Sequence, residues 1–171
     1  MDENAEITLK TPLRFSKQKI KLFLQEREEW LLQVLATKEF YPKLNPLKEV
    51  LLFGLVFQVS DFPVLAKKLQ NKPQNHQNHH RGFYLDASKK VIPQRVEYFA
   101  KKMQLTPKEI KFRTMKRRWG SCSAQGVLTF NTKLMQKELS FIEEVVVHEL
   151  AHLVHFNHSK EFQRLVEDSL G

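Results

Sequence analysis

One apolar helix near the end of the chain constrains the fold more than any other segment. Ser140 to Glu143 has the capping-box pattern of a helix start, and the run from Phe141 to Val154 is apolar on nearly every side. Such a helix must be buried, so the chain needs a core large enough to enclose it. The 171 residues, of which 42% are hydrophobic, favour one domain or a core with a small appendage.

Three polar side chains interrupt this helix: His148, Glu149 and His152. At 100° per residue the two histidines lie about 40° apart and one turn along, so both imidazoles can reach one ion. This HExxH spacing is typical of zinc hydrolases and is expected by chance about 0.02 times in such a chain. Two core histidines bonded to each other are the alternative, but it leaves buried polar groups uncompensated by a cation. The spacing therefore predicts a zinc site.

A catalytic zinc takes three protein ligands, so a third must follow His152. The candidates are His155, His158, Glu161, Glu167 and Asp168. If the helix continued unbroken, His155 would share the ligand face, whereas His158 requires the chain to turn back. Asn157 favours such a turn, and Ser159 can cap a following helix that carries Phe162, Leu165 and Val166. These signals favour His158 and leave the others open.

The rest of the chain predicts three segments. Residues 1–70 form a strand-helix-strand part, with a strand at Ile7–Leu13, a helix at Lys17–Ala36 and a strand at Leu51–Val59 bent at Gly54. Residues 71–80 lack any apolar residue and predict a polar, mobile linker, in which His76, His79 and His80 lack the fixed geometry of a metal site. Residues 81–171 form the core of a zinc metallohydrolase.

Within that core, a helix with Pro93 in its first turn should precede a capping box at Thr106–Glu109. Strands are predicted at Ile110–Met115 and Val127–Asn131, with a turn over Gly120–Gly126. We expect the second strand to be the sheet edge that an extended substrate pairs with. Cys122 is expected in the turn and not among the ligands, and Trp119 is expected to anchor the core.

Charge is unevenly distributed along the chain, whose net charge is +9. The basic block, Lys89 to Arg118, contains eleven Lys or Arg residues against two Glu, which predicts either an anionic partner, such as a nucleotide or nucleic acid, or a solvated face. The longest apolar run, Val50–Val59, is too short to cross a bilayer, so no membrane partner is expected. A single cysteine and a start without signal-peptide character predict a cytoplasmic protein.

The motifs of the C-terminal half resemble those of the YgjP-like metallopeptidase domain family, in the zincin-like superfamily, and more distantly those of SprT-like proteases. The resemblance rests on four segments: Arg118-Trp-Gly-Ser-Cys-Ser123, Gly126-Val-Leu-Thr-Phe-Asn131, Val145-Val-Val-His-Glu-Leu-Ala-His152 and Asn157-His-Ser159. It implies that zinc is held by His148, His152 and His158, and that Glu149 is the catalytic base.

These observations predict an α+β, zincin-like fold in which a small mixed sheet packs on the buried HExxH helix. The first interpretation of function is a Zn2+-dependent metallopeptidase that cleaves peptide bonds by Glu149-assisted attack of zinc-bound water. One alternative is a metal-dependent hydrolase of nucleotides or other phosphate-bearing substrates, recruited by the basic block. A second is a nucleic-acid-binding module with structural zinc.

Overall fold

A β-hairpin opens the part of the chain that a computed structural model describes, residues 44–171, which form one unit. The hairpin pairs β1 (Glu49–Leu52) with β2 (Leu55–Gln58) in antiparallel register. Phe53 and Gly54, with φ of 52° and 79°, form its two-residue turn, since two positive φ values match the right-handed twist of the strands. The bent single strand predicted here is therefore wrong. The predicted strand at residues 7–13 and the helix at residues 17–36 lie outside the described residues.

Two helices follow the hairpin, α1 (Pro63–Asn71) and α2 (His76–Met103). The segment predicted as a mobile linker, residues 71–80, is part of these helices. It contains the end of α1, a short 3-10 turn and the beginning of α2, so the prediction of a mobile linker is wrong. Its side chains find partners elsewhere, as His80 Nε2 lies 2.6 Å from the carbonyl oxygen of Pro46. A segment without apolar residues can still be helical where tertiary contacts fix its first turn.

Helix α2 is longer than the sequence predicted, and Pro93 lies inside it rather than in its first turn. Its buried residues begin at Tyr84 and recur at helical spacing through Phe99, so one continuous face packs on the core. That packing holds the helix together across the proline. Gln104, in the left-handed conformation with φ of 56°, ends it.

A three-stranded mixed sheet comes next, with strand order β3-β5-β4. β3 (Glu109–Arg113) runs parallel to β5 (Val127–Asn131), and β4 (Gly120–Cys122) runs antiparallel to it. The residues of the predicted capping box, 106–109, lead into β3 instead of a helix, and the predicted turn at residues 120–126 begins with β4.

The edge of the sheet also differs from the prediction. We predicted that β5 would be the edge strand, but it has hydrogen-bonded neighbours on both sides. A turn at residues 123–126 folds β4 back along it, because Gly126 supplies the positive φ of 76° that closes the turn. The edges of this sheet are β3 and β4.

The core lies between the sheet and the helices. Leu128 and Phe130 of β5 are fully buried together with residues of α2 and of α3 (Leu139–Ala151), and α4 (Lys160–Leu170) packs against α3. The α+β class, with a small mixed sheet packed on the buried helix, is as predicted. Within residues 44–171, no helix combines the length and apolar character needed to cross a membrane.

Candidate metal centre

Helix α3 ends where its two histidines are placed. His148 lies in its last turn, and His152 follows its last residue, Ala151. The chain turns away after Ala151. In this turn, Nδ1 of His152 lies 2.9 Å from the carbonyl oxygen of His155. A carbonyl can only accept, so Nδ1 of His152 donates the proton and Nε2 presents its lone pair. His155 thus orients His152 through its backbone and is not the third member of the cluster.

The third histidine is supplied by the turn between α3 and α4. Ser159 caps α4, its hydroxyl oxygen accepting a hydrogen bond from the backbone N–H of Phe162 at 3.4 Å. The cap and the helix behind it are as predicted. They hold the preceding residue, His158, so that its Nε2 lies 3.1 Å from Nε2 of His148.

The three imidazoles form a compact nitrogen cluster. His152 Nε2 is 3.2 Å from His148 Nε2, and the candidate ligand atoms of all three rings lie within 4.8 Å of one another. Three nitrogens at the corners of a tetrahedron around zinc, at about 2.0–2.1 Å each, would be roughly 3.3 Å apart. The cluster fits a zinc-sized ion.

Phe162 forms an apolar wall beside the cluster. Its ring centroid lies 4.9, 4.7 and 4.9 Å from those of His148, His152 and His158, and the residue is buried. Burial lowers the pKa of His148, and the nearby His152 and His158 lower it further by charge repulsion. Both effects favour a neutral imidazole at His148, which is the form that binds a metal.

Glu149 lies beside the cluster, next to His148 in α3. Its side chain is 95% buried, and its Oε2 atom accepts no hydrogen bond within the described residues. Burial raises its pKa to about 7, and the charge of Arg118 acts in the opposite direction. A buried carboxylate oxygen without a partner is costly, and a water or a cation at the histidine cluster would remove that cost.

Strand β4 closes the other side of the site at very short range. A Cβ atom built on Gly120 would lie 2.5 Å from Oε1 and 2.6 Å from Cγ of Glu149, so no larger residue fits without moving the carboxylate. Gly120 lines a cavity of about 290 Å³ at the histidines, together with Arg118, Ser121, Cys122 and Phe156. Neither Gly120 nor Arg118 was predicted to lie at the site, although both belong to the Arg118 to Ser123 motif.

Other residues considered from the sequence lie apart from the cluster. Of the described residues, only His148, His152 and His158 form a group able to hold a metal. His155 is therefore not a member of the cluster in this structure, and neither are the three candidate carboxylates, Glu161, Glu167 and Asp168.

Cys122 lies in β4, not in the turn where it was expected. It lines the cavity, and its thiol is 3.5 Å from the carbonyl oxygen of Ser123. Its pKa is raised, first by burial and then by the charge of Glu149, which disfavours a thiolate.

Trp119 meets the expectation of a core anchor. It is partly buried and packs edge-to-face on Phe141 of α3 at 5.6 Å between ring centroids. Lys137 covers the same ring at 5.2 Å.

A small sheet thus lies over a buried helix that contributes two histidines and a glutamate, and the turn that follows this helix contributes a third histidine. The YgjP-like metallopeptidase domain matches residues 1–171, and the chain belongs to that family. The family resemblance noted in the sequence is thereby confirmed.

One solved structure with partial similarity is the crystal structure of the metallopeptidase zymogen of Pyrococcus abyssi abylysin. It is 23% identical in sequence and superposes with a TM-score of 0.42, over 45% of this chain and 77% of that chain. A comparison with curated proteins finds no match.

Proposed function

We propose that this protein is a zinc-dependent peptidase in which His148, His152 and His158 hold the ion and Glu149 is the general base. The observation that carries the proposal is the cluster of three imidazole nitrogens beside a buried carboxylate oxygen that has no hydrogen-bond partner among the described residues. A structural zinc site would take four protein ligands, and the described residues offer three. This favours a catalytic site over a nucleic-acid-binding module with structural zinc.

A bound zinc ion would polarise a water molecule and a substrate carbonyl, and so make hydrolysis accessible near neutral pH. The side chains of this protein account for the remaining requirements. Glu149, held by Gly120 on one side, can accept a proton at Oε2, which faces no competing donor among the described residues. A carboxylate at this position can take a proton and later release it to a leaving amine.

Strand β4 offers the backbone groups that an extended peptide needs. Trp119 and Ser123, which flank it, bond to β5 through the Trp119 carbonyl at 2.8 Å and the Ser123 N–H at 3.0 Å. By the period of two in a strand, the backbone groups of Gly120 and Cys122 point away from β5. A peptide can add to this edge beside Glu149. The role predicted for the edge strand is therefore proposed for β4 in place of β5.

The proposal is tested by incubating the zinc-loaded protein with a denatured protein mixture and, separately, with nucleoside triphosphates. Glu149→Gln is the matched control, since glutamine keeps the shape and cannot accept the proton. We expect new peptide termini, detected by mass spectrometry, only with the parent protein. Triphosphate hydrolysis that depends on Glu149, without proteolysis, would favour the alternative phosphohydrolase function, which the basic residues near the site support.

A further inference from the structure

A groove lined by cationic residues lies on the outer face of the sheet, away from the helices. Four of its lining residues are Arg113 at the end of β3 and three consecutive residues of the β3–β4 loop, Lys116, Arg117 and Arg118. Ser121 and Thr129, paired across β4 and β5, form its floor, and the groove encloses about 540 Å³.

Among the described residues, no carboxylate forms an ion pair with the cations of this groove. In the region 44–171, ion pairs form between Lys111 and Glu109 at 3.0 Å and between Arg95 and Glu143 at 3.3 Å. Arg113, Lys116 and Arg117 take part in neither and are exposed. The groove therefore presents at least three cations to a ligand.

A buried side chain fixes the loop that carries these charges. Asn131 is 2% exposed, and its amide nitrogen donates to the carbonyls of Met115 at 2.9 Å and Arg118 at 2.8 Å. Its Oδ1 accepts from the N–H groups of Met115 and Lys133. Residues 115 and 118 are thus tied to the end of β5, so the cations between them project from a backbone that is ordered before any ligand arrives.

The groove is continuous with the candidate metal centre. Arg118 and Ser121 line both the groove and the cavity that contains His148 and Glu149. A peptide paired with β4 would place every second side chain on the sheet face that bears Ser121 and Thr129, because strand side chains alternate between faces. Those side chains would meet the cations of the loop.

We infer that the groove selects peptides with acidic side chains at alternate positions along the segment that pairs with β4. The inference rests on the proposed peptidase function and specifies its substrate class. The chemistry favours a peptide over single-stranded nucleic acid. Among the described residues that line the groove, none is aromatic, so bases would find no ring to stack on.

Binding tests the inference independently of hydrolysis. The probe is a fluorescein-labelled peptide of about ten residues that alternates Glu and Val, compared with one that alternates Gln and Val. The protein is the zinc-loaded Glu149→Gln form, which holds the probe without cleaving it. The groove variant adds Lys116→Gln and Arg117→Gln, and the matched control instead adds Lys89→Gln and Lys101→Gln, which remove two exposed charges of α2.

We expect fluorescence anisotropy to show tighter binding of the Glu peptide than of the Gln peptide. The groove variant should weaken Glu-peptide binding by about 5-fold and the control variant by less than about 2-fold, because the loss of one exposed charge pair weakens binding by about 1.5- to 5-fold. The preference should shrink at high salt. Equal binding of the two peptides, or a preference that survives the groove substitutions, overturns the inference.

Cleavage-site profiling separates this inference from the proposed function. With Glu149 intact, the sites cut in a denatured protein mixture should be enriched in Asp or Glu at alternate positions, and the groove variant should lose that enrichment. Glu149-dependent cleavage without enrichment of acidic residues around the cut sites would refute the inference and leave the peptidase proposal standing. Absence of Glu149-dependent cleavage would refute the peptidase proposal, and the binding comparison would then decide for or against the groove alone.

A labelled oligothymidylate tests the alternative ligand. If it binds more tightly than the Glu peptide, and the groove variant loses this tighter binding, the groove takes nucleic acid and the inference is overturned.

Discussion

At the scale of single residues, the site depends on which histidine completes the cluster. His158 reaches His148 because α3 stops at Ala151 and Ser159 begins α4. His155 lies between them and contributes a carbonyl oxygen to His152. A backbone group survives substitution of its side chain, so these two histidines should respond differently when each is replaced.

We predict that His158→Ala loses bound zinc, as do His148→Ala and His152→Ala, whereas His155→Ala retains about one zinc per chain. Metal analysis of the purified variants by mass spectrometry measures this. Zinc kept by His158→Ala and lost by His155→Ala would refute the ligand assignment.

Substitution of Glu149 tests proton transfer separately from zinc binding. We predict that Glu149→Gln keeps zinc and the circular dichroism of the parent and loses at least about 100-fold in peptidase activity, since a general base contributes about 10² to 10⁴. Activity within about threefold of the parent would show that Glu149 is not the base.

At the scale of secondary-structure elements, the contact between β4 and α3 sets the position of Glu149. The strand approaches the helix so closely that only a hydrogen atom fits at Gly120. Gly82 in α2 is the natural comparison, because a Cβ atom there would have no neighbour within 4 Å.

We predict that Gly120→Ala displaces the Glu149 carboxylate and lowers activity at least about 10-fold while the three histidines still bind zinc, since a small misplacement of a catalytic group can cost 10²-fold. Gly82→Ala should keep full activity and raise the free energy of unfolding by up to about 1 kcal/mol. Assays of kcat/KM with zinc content and thermal unfolding compare the two. Equal activity of both variants would show that the close approach has no functional consequence.

The cap of α4 is a second element-scale feature. Replacing Ser159 with Ala removes the hydrogen bond to the Phe162 N–H and should cost about 1 kcal/mol. Because the neighbouring residue is His158, we predict that Ser159→Ala also weakens zinc binding, measured by competition with a chromogenic chelator. Ser159→Asp restores a capping oxygen and should recover most of the affinity. Unchanged zinc affinity in Ser159→Ala would mean that the cap does not position the third histidine.

At the scale of the whole molecule, the cluster joins α3 to the start of α4, and the sheet lies against the first of these helices. A ligand that binds only the folded state stabilises it, by about 2.7 kcal/mol at 100 times its Kd. We predict that removing zinc with a chelator lowers Tm by roughly 5–10 °C and that restoring zinc recovers it. The His155→Ala variant should show the same shift and His158→Ala almost none. If the Tm of the parent protein does not change when zinc is removed, the result would contradict a zinc site that joins α3 to the start of α4.

The sequence alone determined those features whose signals are local. A spacing of four places His148 and His152 on one helix face whatever surrounds the helix, and the cap signal at Ser159 marks the start of α4 directly after His158. Asn157 does not take the left-handed conformation that was expected to end the helix. Strand β5 was predicted at its observed bounds because a short run rich in apolar residues follows the glycine that ends a turn.

Only the tertiary structure decided what depends on neighbours distant in the chain. Residues 71–80 lack apolar side chains but are largely helical, since contacts such as that of His80 with Pro46 fix them. The order β3-β5-β4 makes β4 the edge beside Glu149, because strand pairing is set by the folded chain and not by strand composition. The packing of β4 on α3 brings Gly120 against Glu149, and the β3–β4 loop lies beside the candidate metal centre.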